Sequence, residues 1–217
     1  MKDFILGLCS YGGVTDLFLT SVEKAHEELE LSFKLLIRSQ DALIGRSRSI
    51  VASSFLRANE SGILLFVDGD ILFEPSDVTK LYEAVKAGHN IIGGGYLLSS
   101  GRGFALRPWE GIATPDGQIQ EVEYISTGFL AMTRAALIQI RDKLGLPTLH
   151  EGLGIECYPY FESGVDLSGR HHFYMSEDWD FCDKAREAGL KIYWHSDVLV
   201  GHVKQVILSH TGDSKGV

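Results

Sequence analysis

Apolar residues along this chain fall into short continuous runs separated by stretches with helical spacing. Residues 4–9, Leu31 to Ile37, Ile63 to Val67 and Asn90 to Ile92 read as strands. The third is unbroken enough to be buried on both faces. Helix candidates lie between them. Residues 15–29 start at Thr15 or Asp16, either a good N-cap. Residues 46–58 carry Ile50, Val51, Phe55 and Leu56 on one helix face. A third helix opens at Pro75, where the missing N–H costs nothing, and closes at Gly88. Gly93-Gly94-Gly95 is expected to stop the strand before it. Strand and helix thus alternate over the first hundred residues, the pattern of mostly parallel strands, and the chain as a whole is read as an α/β fold, a Rossmann-like mixed sheet flanked by helices.

The second half has a different texture. Residues 96–125 mix Gly, Pro and short apolar stretches, as antiparallel strands and loops do. A helix is expected from Arg134 to Lys143, and another from about 177 to 188, closed by Gly189. Residues 191–194 and 197–200 read as two short strands. Residues 145–172 are glycine-rich and loop-like, and a loop of that length in a compact domain is usually functional. Tyr158-Pro159-Tyr160-Phe161 within it offers faces for a sugar ring or anchors for the loop itself. No repeat or linker interrupts the chain, so residues 1–217 are read as a single domain.

Composition narrows the class. At 45% hydrophobic and 23% charged, the 217 residues resemble an ordinary soluble globular protein. The formal net charge of -9 argues against a nucleic-acid binder, which carries a basic face. An anionic substrate then needs a local basic patch or a metal. Cys9, Cys157 and Cys182 lack ligand spacing, which suits a reduced cytoplasmic setting. No apolar run approaches 18 residues, so no transmembrane segment is expected.

Candidate chemistry starts at Asp68-Gly69-Asp70, directly after the run Ile63 to Val67. Two carboxylates at the exit of a buried strand are costly without a positive partner. Such a pair suits a hard divalent cation, which could in turn hold a diphosphate; a plain Asp-Gly turn is the other reading. Arg46 and Arg48 open the helix 46–58, as an anion site or a solvated pair. Ser176-Glu177-Asp178 opens the late helix, either as a cap with dipole-favoured acids or as a carboxylate presented for general-base work. His202 follows a strand and is either structural or a metal ligand. His171-His172 could contact a substrate.

Taken in order, ILLFVDGDILFEP, IIGGGY, ISTGFLAMTRAAL, SEDWDFCDKAREAGLKIYW and VLVGH resemble nucleotide-sugar glycosyltransferases of the GT-A fold, most like the family 2 type. GRSRSIVASSFL resembles the arginine-bearing segment before their metal strand. The chain is short for that family, and its first turn lacks the usual Pro and acid.

The resemblance implies a metal-dependent transferase using Mn²⁺ or Mg²⁺ and a nucleoside diphosphate sugar, with a UDP-sugar favoured, acting on a glycan or other hydroxyl acceptor. It implies an acidic metal motif at Asp68, Gly69 and Asp70, Asp70 being the direct ligand, joined by His202. It implies a nucleoside turn at Ser10 and Tyr11, and Arg46 or Arg48 near the base or diphosphate. Gly94, Gly95 and Tyr96 would line the donor sugar, and Thr127 and Gly128 the acceptor. Asp178 would be the base of an inverting reaction, with Glu177 beside it, although the Gly-His ending also occurs in retaining members. A sugar-phosphate nucleotidyltransferase would want a basic first loop, and LCSYGGVTDLF has no Lys or Arg. A non-catalytic sugar-nucleotide or glycan-binding module is the remaining alternative.

Overall fold

Strand β1 (Phe4–Ser10) is buried at six of its seven positions because it lies inside the sheet, between two parallel neighbours. The computed structural model describes residues 2–98, 100–166, 173–204, 206–208 and 214–216. In chain order β1 is followed by α1 (Asp16–Glu28), β2 (Phe33–Ser39), α2 (Ile44–Ala58), β3 (Ile63–Val67), β4 (Ile71–Leu72) and α3 (Pro75–Lys86). Then come β5 (Ile91–Gly95), β6 (Leu106–Pro108), β7 (Ile119–Ile125), β8 (Phe129–Thr133) and α4 (Arg134–Leu144). The chain continues through β9 (Gly164–Asp166), β10 (Phe173–Met175), α5 (Glu177–Glu187), β11 (Tyr193–Leu199) and β12 (Gly201–His202). Finally β13 (Val206–Leu208) pairs with β14 (Ser214–Gly216).

The main sheet has eight strands in the order β2-β1-β3-β8-β5-β11-β7-β6. Its strands alternate their side chains between two helical layers, as the two-residue period requires. Leu64 and Phe66 of β3 pack with Val51 and Phe55 of α2, Leu137 and Ile140 of α4, and Phe181 of α5. Leu65 and Val67 face the other way, towards Phe18 of α1 and Val78, Leu81 and Val85 of α3. The result is a three-layer α/β architecture.

The sheet is mixed, as expected: β1·β2, β1·β3 and β5·β11 are parallel, whereas β8 runs antiparallel to both β3 and β5, and β7 to both β11 and β6. Several other sequence expectations are corrected. The second strand is shifted towards the C-terminus because its register on β1 starts at Phe4↔Phe33, which leaves Leu35 and Ile37 exposed at the sheet edge. Gly93-Gly94-Gly95 does not stop β5 but forms its second half. A Cβ on Gly94 would meet Val198 Cγ1 at 2.6 Å, and one on Gly95 would meet Trp194 Nε1 at 2.8 Å. The two short strands expected near 191–200 are one strand, β11, with an irregular register between Trp194 and Leu199. Tyr160 and Phe161 are buried in the core, so they anchor their loop and present no face to a sugar. His171 and His172 lie outside the described residues.

Candidate functional site

The acidic turn is held from three sides. Asp68 N–H donates to the Gly128 carbonyl at 2.9 Å, and β4 pairs antiparallel with β12, Ile71 opposite His202. Val203 N–H donates to the Asp70 carbonyl at 2.8 Å. This backbone clamp brings His202 Nε2 to 3.1 Å from Asp70 Oδ2, across 132 positions of sequence. Lys204, two residues on in the same segment, places Nζ 3.3 Å from the same oxygen.

His202 Nδ1 lies 3.3 Å from the Leu97 carbonyl. Both neighbours of the ring are therefore acceptors, and a neutral imidazole carries only one N–H. With nothing between them, Nε2–H donates to the Asp70 carboxylate. With a cation between them, Nδ1–H would donate to Leu97 and the Nε2 lone pair would face the cation, the pattern of a metal-ligating histidine oriented by a backbone carbonyl. Asp70 and His202 thus fit a divalent cation that takes its other ligands from water or substrate phosphate. Among the described residues, no group of three His, Cys, Asp or Glu is arranged to hold a metal by itself.

Asp68 is engaged differently. Arg48 Nη2 donates to both of its oxygens, at 2.8 and 2.9 Å, and Arg48 Nη1 donates to Glu177 Oε1 at 2.5 Å. The Arg48 side chain is 5% exposed, which excludes a solvated surface pair. Burial works against its charge, but Asp68 and Glu177 outweigh it and hold the guanidinium above its usual range. Burial outweighs the pull of Arg48 on Glu177, whose carboxyl lies above the usual range. Gly45 lets this corner close, since a Cβ there would meet the Phe161 carbonyl oxygen at 2.8 Å.

Arg46 is also committed. Its Nε and Nη2 donate to Asp41 at 3.0 and 2.6 Å. Arg48 is thus buried and fully engaged, whereas Arg46 is paired but half exposed, against the α2 cavity. Asp41, which the sequence reading passed over, is buried, accepts from Leu43 N–H at 3.1 Å, and is held down to about 2 chiefly by the Arg46 hydrogen bonds. Its sequence signal was an acid just past a strand and five residues before an arginine.

The turn after β1 faces the acidic turn across a cavity of about 400 Å³ lined by residues 9–15, Ile44, Arg48, Asp68, Gly69 and Asp70. Thr15 N–H donates to the Gly69 carbonyl at 2.8 Å. Gly69 must be glycine, because a Cβ would meet Val14 Cγ1 at 2.8 Å. Ser10 Oγ bonds within its own turn, accepting from Gly13 N–H at 3.0 Å. Tyr11 is 71% exposed, leaving its ring free to stack. A second cavity, of about 480 Å³ between α2 and residues 149–163, shares Ile44 with this cleft but contains neither aspartate.

A third cavity, of about 300 Å³, joins Tyr96, Ser126, Asp178, Trp179 and His202. Asp178 Oδ1 accepts from Trp179 N–H at 2.9 Å and from the Ser176 hydroxyl, so Ser176 caps through Asp178 instead of binding the helix amides. The Tyr96 ring stands edge-on to His202 at 4.8 Å, its hydroxyl is bonded to Ser126 Oγ, and burial pushes its acidity down. Of the remaining expected wall residues, Gly94 and Gly95 are filled over by Val198 and Trp194, so they line no open donor site. Thr127 is fully buried, and a Cβ on Gly128 would meet the Tyr96 hydroxyl at 2.6 Å, so this pair offers no acceptor surface. Lys204 and Ser126 enter the site without having been expected. The sequence signal for Lys204 is a cation two residues past His202.

No protein-family model and no curated protein matches the chain. Among solved structures it is similar to one described as "Crystal Structure of A197 from STIV", with a TM-score of 0.63 and 17% identity over 99% of this chain and 93% of that one. At that identity the likeness concerns the fold alone. No helix among the described residues is long and apolar enough to cross a membrane.

Proposed function

We propose that this chain is a glycosyltransferase of the GT-A type, moving a sugar from a nucleoside diphosphate sugar, taken to be a UDP-sugar, to a hydroxyl acceptor. The observation that carries the reading is the meeting of Asp70 with His202, at 3.1 Å, between two cavities. One holds the β1 turn and both aspartates; the other holds Asp178. Asp70 and His202 would hold the divalent cation, Mn²⁺ or Mg²⁺. When bound, that cation supplies positive charge against the departing diphosphate.

The chain's own residues do the rest. Tyr11 offers an exposed ring to the base. Arg48 neutralises Asp68, which lowers the repulsion a diphosphate meets in an acidic cleft. Asp178 accepts the proton of the acceptor hydroxyl as that oxygen attacks the sugar. Its side chain lines the cavity that also holds Tyr96 and His202.

The test is a screen of nucleotide sugars for Mn²⁺-dependent release of the nucleoside diphosphate, with Asp70→Ala and His202→Ala as controls. Release from one donor class, lost in both variants, is expected. Metal-dependent UDP binding without release from any donor would make the chain a binding module. No binding of any nucleoside diphosphate, with or without metal, would sink the reading.

A further inference from the structure

Asp70 Oδ2 has two nitrogen neighbours, and the proposed function uses only one of them. His202 Nε2 stands at 3.1 Å and Lys204 Nζ at 3.3 Å. The ammonium is not placed there by chance of a floppy surface chain. The β4·β12 pairing and the Val203 N–H to Asp70 carbonyl bond fix the segment 201–204 against the turn. From that segment the side chains of residues 202 and 204 both reach Asp70 Oδ2.

A lysine on this oxygen has two consequences. It occupies an oxygen that a divalent cation would ligate, so lysine and metal compete for Asp70. The pair is also easy to break, with side chains 39% and 37% exposed. A cation arriving on Asp70 would therefore release an ammonium at the edge of the cleft, just where a diphosphate brings negative charge. The cation that lines this cleft, Arg48, is buried and held by both Asp68 and Glu177, so it is not available to an incoming phosphate.

We propose that Lys204 is a diphosphate-binding residue whose ammonium leaves Asp70 Oδ2 for a phosphate oxygen when a divalent cation and a nucleoside diphosphate bind together. The inference rests on the function proposed above. It makes two predictions of opposite sign. Without nucleotide, removing the ammonium frees Asp70 and tightens the metal. With nucleotide, removing it costs a charge-assisted hydrogen bond and loosens the diphosphate.

Calorimetric titration of wild type, Lys204→Met and Lys204→Arg tests both. The titrants are Mn²⁺ alone, UDP with Mn²⁺, uridine and, for wild type, ADP, GDP and CDP with Mn²⁺. Lys204→Met should bind Mn²⁺ alone more tightly, bind UDP with Mn²⁺ roughly 10–100-fold more weakly, and bind uridine as wild type does. Lys204→Arg should restore most of the UDP affinity. Unchanged UDP affinity in Lys204→Met would overturn the role of Lys204 and leave the proposed function standing. An equal loss for UDP and uridine would overturn it too, as the sign of a structural residue. Failure of the wild type to bind any of UDP, ADP, GDP or CDP would bring down the proposed function and this inference with it.

Discussion

Arg48 Nη2 grips both carboxylate oxygens of Asp68, at 2.8 and 2.9 Å, and so joins the end of β3 to the start of α2. Its other arm reaches Glu177 at the head of α5, tying three elements at one corner of the sheet. Two carboxylates that would repel each other are held there by one buried cation.

Removing that cation should unfold the corner. Breaking a buried ion pair from one side costs about 3–5 kcal/mol, so Arg48→Met should lower the melting temperature by roughly 6 °C or more. Adding Asp68→Asn and Glu177→Gln to it should recover part of the loss, because the stranded charges are then gone. Thermal melts of the single and triple variants check this. A single variant melting like wild type would show that the network carries little stability.

Asp178 should matter to chemistry and little to folding. Its carboxylate sits in the first turn of α5, where the dipole is worth only about 0.3–1 kcal/mol. Asp178→Asn should melt within a few degrees of wild type while losing roughly 100-fold or more in turnover. UDP affinity should persist. Near-normal sugar transfer by the variant would remove Asp178 from the mechanism and leave a retaining course, or Glu177, to be tested.

Gly94 and Gly95 should behave as packing positions. A methyl group on Gly94 would press on Val198 at 2.6 Å, and one on Gly95 on Trp194 at 2.8 Å. Overpacking of this kind costs about 1–3 kcal/mol, so each alanine variant should melt roughly 2–12 °C lower. Nucleotide affinity in the folded fraction should not change. A selective loss of donor affinity with normal stability would return both glycines to the binding site.

Asp41 should give the protein a pH-dependent stability at the acid end. Hydrogen bonds from Arg46, set against some cost of burial, hold its carboxyl from the ordinary 3.8 down to about 2. A depressed carboxyl pKa means that the unfolded chain takes up the proton more readily than the folded one. The stabilisation is therefore complete above about pH 4 and fades as pH falls towards 2. The melting temperatures of wild type and Asp41→Asn should differ most above pH 4 and converge below it. A difference that stays constant across this window would rule out the ionised carboxylate as the source.

Local sequence carried a good part of this structure. The unbroken run Ile63 to Val67 had to be a strand covered on both faces, and the acidic turn had to follow it. Pro75 and Gly88 bracket α3 because one residue lacks an N–H and the other accepts a positive φ of 107°. Ser176 and Gly189 bracket α5, the first as its N-cap residue and the second through a positive φ of 84°. These are matters of a few neighbouring residues, and neighbours are what a sequence displays.

The antiparallel place of β8 inside the sheet was not legible, because an apolar run buries equally well parallel or antiparallel. β8 is antiparallel to β3 only because of how the intervening chain returns. The glycine run in β5 looked like a stop for want of side chains; its purpose shows only once Val198 and Trp194 lie against it. The charges were visible but not their partners. Arg48 finds Asp68 at 20 positions and Glu177 at 129, and Asp70 finds His202 at 132. Pairing of that kind depends on which elements the buried sheet brings side by side. Electrostatic energy at a few ångströms is set by that distance and burial, neither of which one-dimensional order contains.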